Sequence, residues 1–282
     1  MMAQRGEAAT GSRIVNANAA DQKTHGLKSL RRVGAALVAA CLIGSASGYI
    51  ASQFEAAAEK PATELSVTAK PIVAVVSSQA KSSFKTQTVY FAPNKKGQVF
   101  ITIDDGYFPE QGAYNFLKSN KISTTSFIIK DAMDEHLGFW KAYAKIGNLE
   151  DHTVSHPNLT AISYAADVYQ IEGQRNAIKA LTGVTPYMLR PPYGDLDAQV
   201  VAAAHQSGMR YIVMWSAVLK YNANGVYTSD PPLETWNGGP LRSGEIIIVH
   251  WNPGVTGALK ALYKDIERDG LKVGNLADYL TK

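Results

Sequence analysis

From Gly97 onward, short apolar runs alternate with longer amphipathic segments along the chain. Runs rich in Val, Ile and aromatic residues predict strands, and segments with apolar residues three or four apart predict helices. The predicted strands are Val99–Ile103, Ser123–Ile129, Tyr187–Leu189, Arg210–Trp215 and Glu245–Trp251. The predicted helices are one starting near Pro109 and those at Asp134–Lys145, Ser163–Leu181, Leu196–Gln206 and Gly257–Arg268. This alternation indicates an α/β fold, with a parallel sheet or a β/α barrel.

The N-terminal part of the chain shows a different pattern, a long apolar run after basic residues. Residues 33–51 form an uncharged run of nineteen residues after a basic flank, and a membrane-spanning helix needs about 20 residues. The positive flank predicts that residues 1–32 are a cytoplasmic tail and that the rest is extracytoplasmic, membrane-anchored or secreted at the cell surface. Residues 33–51 are interpreted as a signal-anchor that holds the chain in the membrane, a signal peptide cut near Ser45–Ser47, or a lipoprotein signal ending at Cys41. A buried helix of a soluble domain is a fourth interpretation.

Residues 52–96 are rich in Ala, Ser, Thr, Val and Lys, contain three prolines and show no sustained helical period. They are predicted to be an extracytoplasmic linker with one strand around Ile72–Val76. The main domain is therefore expected at residues 97–282.

Composition and charge indicate a globular domain and exclude some classes of protein. The 46% hydrophobic and 18% charged residues are typical of a globular domain, and the single cysteine excludes an intramolecular disulfide. The formal charge of +4 comes from the N-terminal part, because residues 97–282 carry sixteen basic and nineteen acidic side chains. The main domain therefore lacks the basic excess of a nucleic-acid-binding domain.

Candidate chemistry begins with Asp104 and Asp105, which directly follow the first predicted strand. Two adjacent carboxylates repel each other unless a cation or a proton lies between them. In parallel α/β folds, functional side chains gather at the carboxyl ends of strands. The alternative is a simple Asp-Gly turn, which explains one aspartate of the pair.

His152 and His156 are four residues apart and are predicted to lie on one face of a helical turn. With Asp105 they make a two-histidine, one-carboxylate ligand set for a divalent metal. A pair of surface histidines is the alternative.

Two further clusters follow. Arg190-Pro191-Pro192-Tyr193-Gly194 is a stiff segment whose arginine can orient a carboxylate such as Asp104, or can lie in a plain surface loop. His250 ends an aliphatic strand, as a candidate general acid or as a core histidine.

The clusters Thr102-Ile103-Asp104-Asp105-Gly106, His152-Thr153-Val154-Ser155-His156, Arg190-Pro191-Pro192-Tyr193-Gly194 and Ile248-Val249-His250 stand in this order along the chain. In order and spacing they resemble the polysaccharide deacetylases of carbohydrate esterase family 4, the NodB-homology domain. The resemblance covers about residues 97–282. It implies an irregular (β/α) barrel, preceded here by the N-terminal apolar helix and linker.

The same resemblance implies a metal centre. Asp105, His152 and His156 would bind a divalent metal, with zinc as the first expectation and cobalt, nickel or manganese as alternatives. Asp104 would be the general base, and Arg190 would hold it.

The remaining roles also follow from the resemblance. His250 would protonate the leaving amine, and the Tyr193 backbone would help to stabilise the oxyanion. Ile248 would line the pocket for the acetyl methyl. Independently of the resemblance, Trp215 is a candidate aromatic wall for a sugar ring, and Pro192 is a further candidate substrate contact.

The implied reaction is metal-dependent hydrolysis of N-acetyl groups from an N-acetylglucosamine-containing glycan, peptidoglycan or chitin-like, with release of acetate. One departure from the family pattern concerns the segment Trp215–Tyr221, which lacks the aspartate that usually supports the catalytic histidine. Two alternatives therefore stay open: a catalytically weak glycan-binding protein of the same fold, and an amidase acting on a small non-sugar substrate.

Overall fold

The structure is a computed structural model that describes residues 84–92 and 97–281. The predictions for the basic tail, the apolar segment 33–51 and the strand around Ile72–Val76 lie outside these residues. Within the described ranges, every helix is too short or too polar to span a bilayer.

The described strands form one curled sheet. In chain order they are β1 (Gln87–Val89), β2 (Gln98–Asp105), β3 (Thr125–Ile128), β4 (Asn148–Asp151), β5 (Met188–Leu189), β6 (Tyr211–Val213), β7 (Ala217–Leu219), β8 (Leu233–Thr235), β9 (Ile246–His250) and β10 (Lys272–Val273). Their order across the sheet is β1-β6-β5-β4-β3-β2-β9-β7-β8, and β10 pairs with β2. The pairs are parallel except for β7 with β8. The predicted α/β class is confirmed.

Helices connect the parallel strands. They are α1 (Gln111–Ser119), α2 (Lys130–Glu135), α3 (Leu137–Tyr143), α4 (Tyr164–Thr182), α5 (Ala198–Gln206) and α6 (Val255–Arg268), with 3₁₀ turns at Leu159–Ala161, Pro192–Gly194 and Leu276–Asp278. The single helix predicted at Asp134–Lys145 is wrong, because the chain breaks between α2 and α3 at His136, whose backbone is not helical. Strands β1, β4, β7, β8 and β10, each at most four residues long, were not predicted.

The sheet curls, but hydrogen bonds between the described strands do not close it into a full barrel. Its edge strands are β1 and β8, and β1 falls within the segment predicted to be a linker. Beyond these strands the Tyr90 and Trp236 rings pack 5.2 Å apart between centroids. Aromatic packing therefore joins the two edges where a strand ladder would complete a barrel.

Strand β2 is buried on both faces, as expected for a central parallel strand. Val99, Ile101 and Ile103 pack into the large core beneath the helices, whereas Phe100 belongs to a second core inside the curl. By the two-residue strand period, Asp104 shares the inner face with Phe100. Asp104 also lies in register with His250 of β9. The concave face of the sheet thus presents these two polar groups at the carboxyl ends of neighbouring strands.

Helix α6 begins with an N-cap residue, Gly254, that has no capping side chain. Glu110 fills this role from another part of the chain. Its Oε1 accepts from the Gly254 N–H at 2.6 Å, and its Oε2 accepts from the Thr256 N–H at 3.0 Å and from the Thr256 hydroxyl. Partial burial acts to raise the pKa of Glu110, but these hydrogen bonds outweigh it and hold the pKa below its ordinary value.

Replacement of Glu110 with glutamine is expected to lower the free energy of unfolding at pH 7 by about 1–2 kcal/mol, because a charged cap is lost. A carboxylate with a lowered folded-state pKa stabilises above its unfolded pKa, and this stabilisation is lost as the pH falls through the folded value. The difference between wild type and Glu110→Gln should therefore shrink below about pH 4. Urea unfolding at neutral and acidic pH measures it.

The matched control is Glu267→Gln, an exposed glutamate near the other end of α6. Its effect should stay within about 0.5 kcal/mol. Equal losses for the two variants would contradict the capping role of Glu110.

Candidate active site

The two adjacent aspartates occupy different environments at the carboxyl end of β2. Asp104 is 2% exposed, and its Oδ1 accepts from the Arg190 Nη1 at 2.7 Å. Asp105 is the last residue of the strand and has a left-handed backbone with φ of 74°. The reversal at Asp105 lets two neighbouring carboxylates point toward different partners.

Arg190 is fully buried and contacts several groups on the inner face of the sheet. Besides Asp104, its guanidinium donates to the Thr102 hydroxyl at 2.8 Å, to the Val213 carbonyl at 2.9 Å and to the Met214 carbonyl at 3.0 Å. Its guanidinium carbon also lies 4.3 Å from the Phe127 ring centroid. Burial lowers the pKa of Arg190 and the Asp104 charge opposes that shift, so the guanidinium stays protonated at neutral pH. The surface-loop alternative for Arg190 is therefore wrong.

His152 and His156 converge on Asp105. The His152 and His156 Nε2 atoms are 3.2 Å apart, and they lie 3.5 and 3.7 Å from Asp105 Oδ1. The predicted helical turn is wrong, because residues 152–158 are not helical. Left-handed backbone at Thr153 (φ 70°) and at His156 (φ 59°) folds the loop back instead.

Local hydrogen bonds hold this strained loop. The Thr153 N–H donates to Asp151 Oδ1 at 2.8 Å, and the His156 N–H donates to the Thr153 hydroxyl at 3.1 Å. A left-handed non-glycine residue costs about 1–3 kcal/mol, and such residues cluster at functional sites. Four of the five described non-glycine residues with positive φ lie here, namely Asp105, Thr153, His156 and Tyr193. The strain thus marks the same site that the motifs indicate.

The donor set fits a divalent metal. Ligands about 2.0–2.1 Å from a tetrahedral ion lie about 3.3 Å from each other, close to the separations of 3.2–3.7 Å. The buried Asp105 Oδ1 has no hydrogen-bond partner among the described residues. His152 Nδ1 lies 2.7 Å from the Arg190 carbonyl, which can only accept, so Nδ1 carries the proton and Nε2 faces the other ligands. Metal-bound histidines usually have such an outer partner.

The pKa shifts of Asp105 and His156 suit ligands of a cation. Burial acts to raise the pKa of Asp105, but the proximity of His152, His250 and His156 outweighs it and lowers the pKa below its ordinary value. Burial and the His152 charge lower the pKa of His156 to about 3. Burial acts to lower the pKa of His152, but Asp105 and Asp104 raise it above its ordinary value. At neutral pH, Asp105 is thus a carboxylate and His156 a neutral imidazole.

His250 lies at the carboxyl end of β9 and is 6% exposed. Its backbone N–H donates to the Tyr227 hydroxyl at 2.8 Å, and its ring packs edge-on against Tyr221 at 5.3 Å. Tyr221 ends the segment Trp215–Tyr221, where the resemblance leads one to expect an aspartate, and Tyr227 follows six residues later. Aromatic side chains therefore surround His250 on this side.

The predicted substrate contacts line the same face. Ile248 and Pro192 are buried, and Trp215 is partly buried with its ring 5.7 Å from the Arg190 guanidinium carbon. Tyr193 has a left-handed backbone, and its ring packs edge-on against His156 at 4.7 Å. Trp251 is fully buried and donates from its indole nitrogen to the Ser126 hydroxyl at 3.0 Å, so it lies in the core.

Sequence reasoning missed several residues that build the site. Thr102 contacts Arg190, Asp151 holds the histidine loop and Tyr227 holds the His250 backbone. Asp151 directly precedes His152, and this position next to a candidate metal ligand is a signal that the sequence offers. Tyr227 offers no local signal, because it is 23 residues from its partner.

Comparison with known proteins identifies the fold. Residues 92–212 match the polysaccharide deacetylase family model. The chain is 30% identical over 185 residues to a peptidoglycan-N-acetylglucosamine deacetylase of Bacillus cereus, covering 63% of this chain and 65% of the relative. It is 30% identical over 160 residues to a chitin deacetylase of Amylomyces rouxii, covering 53% and 38%. The chain thus spans less than two thirds of the length of either relative.

A solved structure extends the likeness to the fold. The chain superposes with a TM-score of 0.54 and 23% identity on a pseudoenzyme of carbohydrate esterase family 4 from Bacillus anthracis, with 69% of each chain covered. This likeness agrees with the α/β fold described above. The match over residues 92–212 and these relatives confirm that the chain resembles the polysaccharide deacetylases of carbohydrate esterase family 4.

Proposed function

We propose that this chain is an extracytoplasmic, metal-dependent deacetylase that hydrolyses N-acetyl groups from an N-acetylglucosamine-containing glycan. The observation that carries the proposal is the Asp105, His152 and His156 cluster beside a buried Asp104–Arg190 pair. Relatives named as chitin and peptidoglycan-N-acetylglucosamine deacetylases support a chitin-like or peptidoglycan substrate. The apolar segment 33–51 supports export, as an anchor or a cleaved signal.

A divalent metal held by Asp105, His152 and His156 would polarise the acetyl carbonyl and lower the pKa of a water molecule. Two histidines and one carboxylate favour zinc, with cobalt, nickel or manganese as alternatives. The left-handed backbone at Asp105 and the Arg190 carbonyl at His152 hold two of the three ligand side chains in place. The chain therefore prepares the site before a substrate arrives.

Asp104 acts as the general base. Arg190 holds its Oδ1, and its Oδ2 lies 3.9 Å from His152 Nε2, on the side of the ligand cluster. When water adds to the acetyl carbon, Asp104 takes the proton from that water. The guanidinium holds this buried aspartate in one orientation between turnovers.

His250 acts as the general acid. It lies in register with Asp104 on the adjacent strand, so the two groups flank one reacting carbonyl. His250 gives a proton to the amide nitrogen, the C–N bond breaks, and acetate and a free amine leave. The Tyr193 backbone faces the developing oxyanion, while Ile248, Trp215 and Pro192 contact the acetyl group and its sugar.

Acetate release by the purified full chain tests this function. N-acetylglucosamine oligomers and peptidoglycan are the substrates, and chelated protein is compared with protein reloaded with zinc. We expect release from at least one glycan after reloading and none after chelation.

Two results would point elsewhere. Bound metal without acetate release would favour a glycan-binding protein of the same fold, a candidate supported by the missing aspartate in Trp215–Tyr221 and by the similar pseudoenzyme. Activity on a small amide with none on oligosaccharides would favour a non-sugar amidase.

A further inference from the structure

Two exposed aromatic side chains directly follow the paired aspartates. Tyr107 is 38% exposed and Phe108 is 54% exposed, and only Gly106 separates them from Asp105. Because the Phe108 N–H donates to the carbonyl of Trp251, the residue after His250, they lie beside the candidate active site. Adjacent exposed aromatic rings at the mouth of a site offer an apolar surface that the fold itself does not use.

The backbone beneath these rings is held in place. The Phe108 N–H donates to the Trp251 carbonyl, and the Tyr107 carbonyl lies 3.3 Å from His136 Nε2. Gly106 turns the chain with φ of 108°, where a Cβ would lie 3.0 Å from the Trp140 ring. A loop held in this way presents its side chains with little ordering cost on binding.

The surroundings of Tyr107 favour a neutral ligand. Apart from Asp105, which belongs to the metal-ligand set, the charges that act on its hydroxyl come from Asp131 and Glu135 of α2. These carboxylates repel an anion but accept hydrogen bonds from hydroxyl groups. A sugar ring has both required parts, an apolar C–H face for the aromatic rings and hydroxyl groups at its edge.

We propose that Tyr107 and Phe108 form a stacking subsite for the neutral sugar next to the one that carries the reacting acetyl group. The proposal rests on the proposed function, because this sugar belongs to the same glycan chain. Their position beside Asp105 makes the subsite continuous with the site of chemistry. They are specificity residues and take no part in proton transfer.

Kinetics of the full-length chain test the subsite. The variants are Tyr107→Ala, Phe108→Ala and their combination. The matched control is Tyr169→Ala, an aromatic residue of α4 that is 67% exposed. For an N-acetylglucosamine pentamer we expect KM to rise about tenfold in each single variant with little change in kcat, as for loss of uniform binding. Activity on the N-acetylglucosamine monomer should not change. The variant Tyr107→Phe keeps the aromatic ring, so it should retain the wild-type KM for the pentamer.

An unchanged pentamer KM in the double variant would overturn the subsite, and so would equal losses on monomer and pentamer. Calorimetric binding of the pentamer separates this outcome from failure of the proposed function. If the wild type binds the pentamer but releases no acetate, the deacetylase proposal fails, and weaker binding by the double variant still supports the subsite. If the wild type does not bind the pentamer, the subsite is overturned.

Discussion

Replacement of His152 or Asp105 with alanine should remove both bound metal and acetate release, whereas Asp104→Asn should remove activity and leave the metal in place. The reason is that the two aspartates at the end of β2 contact different partners. Asp105 Oδ1 faces both histidine Nε2 atoms, while Asp104 Oδ1 is held by Arg190. We expect losses in kcat of about a hundredfold to ten-thousandfold for Asp104→Asn, as for removal of a general base.

Metal content after dialysis, measured together with acetate release, checks this separation. His205→Ala is the control, because His205 packs against Phe84 at 5.2 Å and takes no part in the ligand cluster. It should retain both metal and activity. Loss of metal in Asp104→Asn would show that the roles of the two aspartates are exchanged.

Replacement of Arg190 with methionine should cause a large loss of stability. Methionine fills much of the volume, but it leaves the Asp104 carboxylate buried without its counter-charge. Removal of one partner of a buried ion pair typically costs about 3–5 kcal/mol. The Thr102 hydroxyl and the carbonyls of Val213 and Met214 also lose a donor. Activity should fall with stability, because the general base is no longer held.

Urea unfolding of chelated protein measures this loss. Arg268→Met is the matched control, since the Arg268 side chain is 68% exposed in its contacts with Asp265 and Asp269. Exposed pairs contribute at most about 1 kcal/mol. The combination Asp104→Asn with Arg190→Met should recover part of the lost stability, because no buried charge then stands alone. A loss for Arg190→Met no larger than that for Arg268→Met would refute the buried-pair argument.

The sequence was sufficient for the class of fold and for the cluster of Asp105, His152 and His156. Apolar runs such as Val99–Ile103 reveal buried parallel strands, because a strand covered on both faces must be apolar along its length. The polar clusters at strand ends then fall at one edge of the sheet. Asp105, His152 and His156 meet there, as the ligand set predicted.

Contacts between distant parts of the chain decided the features of the fold and site that local sequence patterns do not reveal. Local spacing suggested a helix for the two histidines, but Asp151 and Thr153 hold a left-handed loop that spacing does not encode. The same applies to β1, whose pairing with β6 depends on residues more than a hundred positions away. A three-residue strand has no period of its own to detect.

The sequence by itself determined the alternation of strands and helices and the polar residues at the strand ends, because both are local patterns. Only the tertiary structure decided that Arg190 is buried against an aspartate 86 residues away. It likewise decided that Trp251 lies in the core and that Tyr227 supports His250. The physical reason is that burial and pairing depend on which side chains the fold brings together, and a single residue carries no local sign of a distant partner.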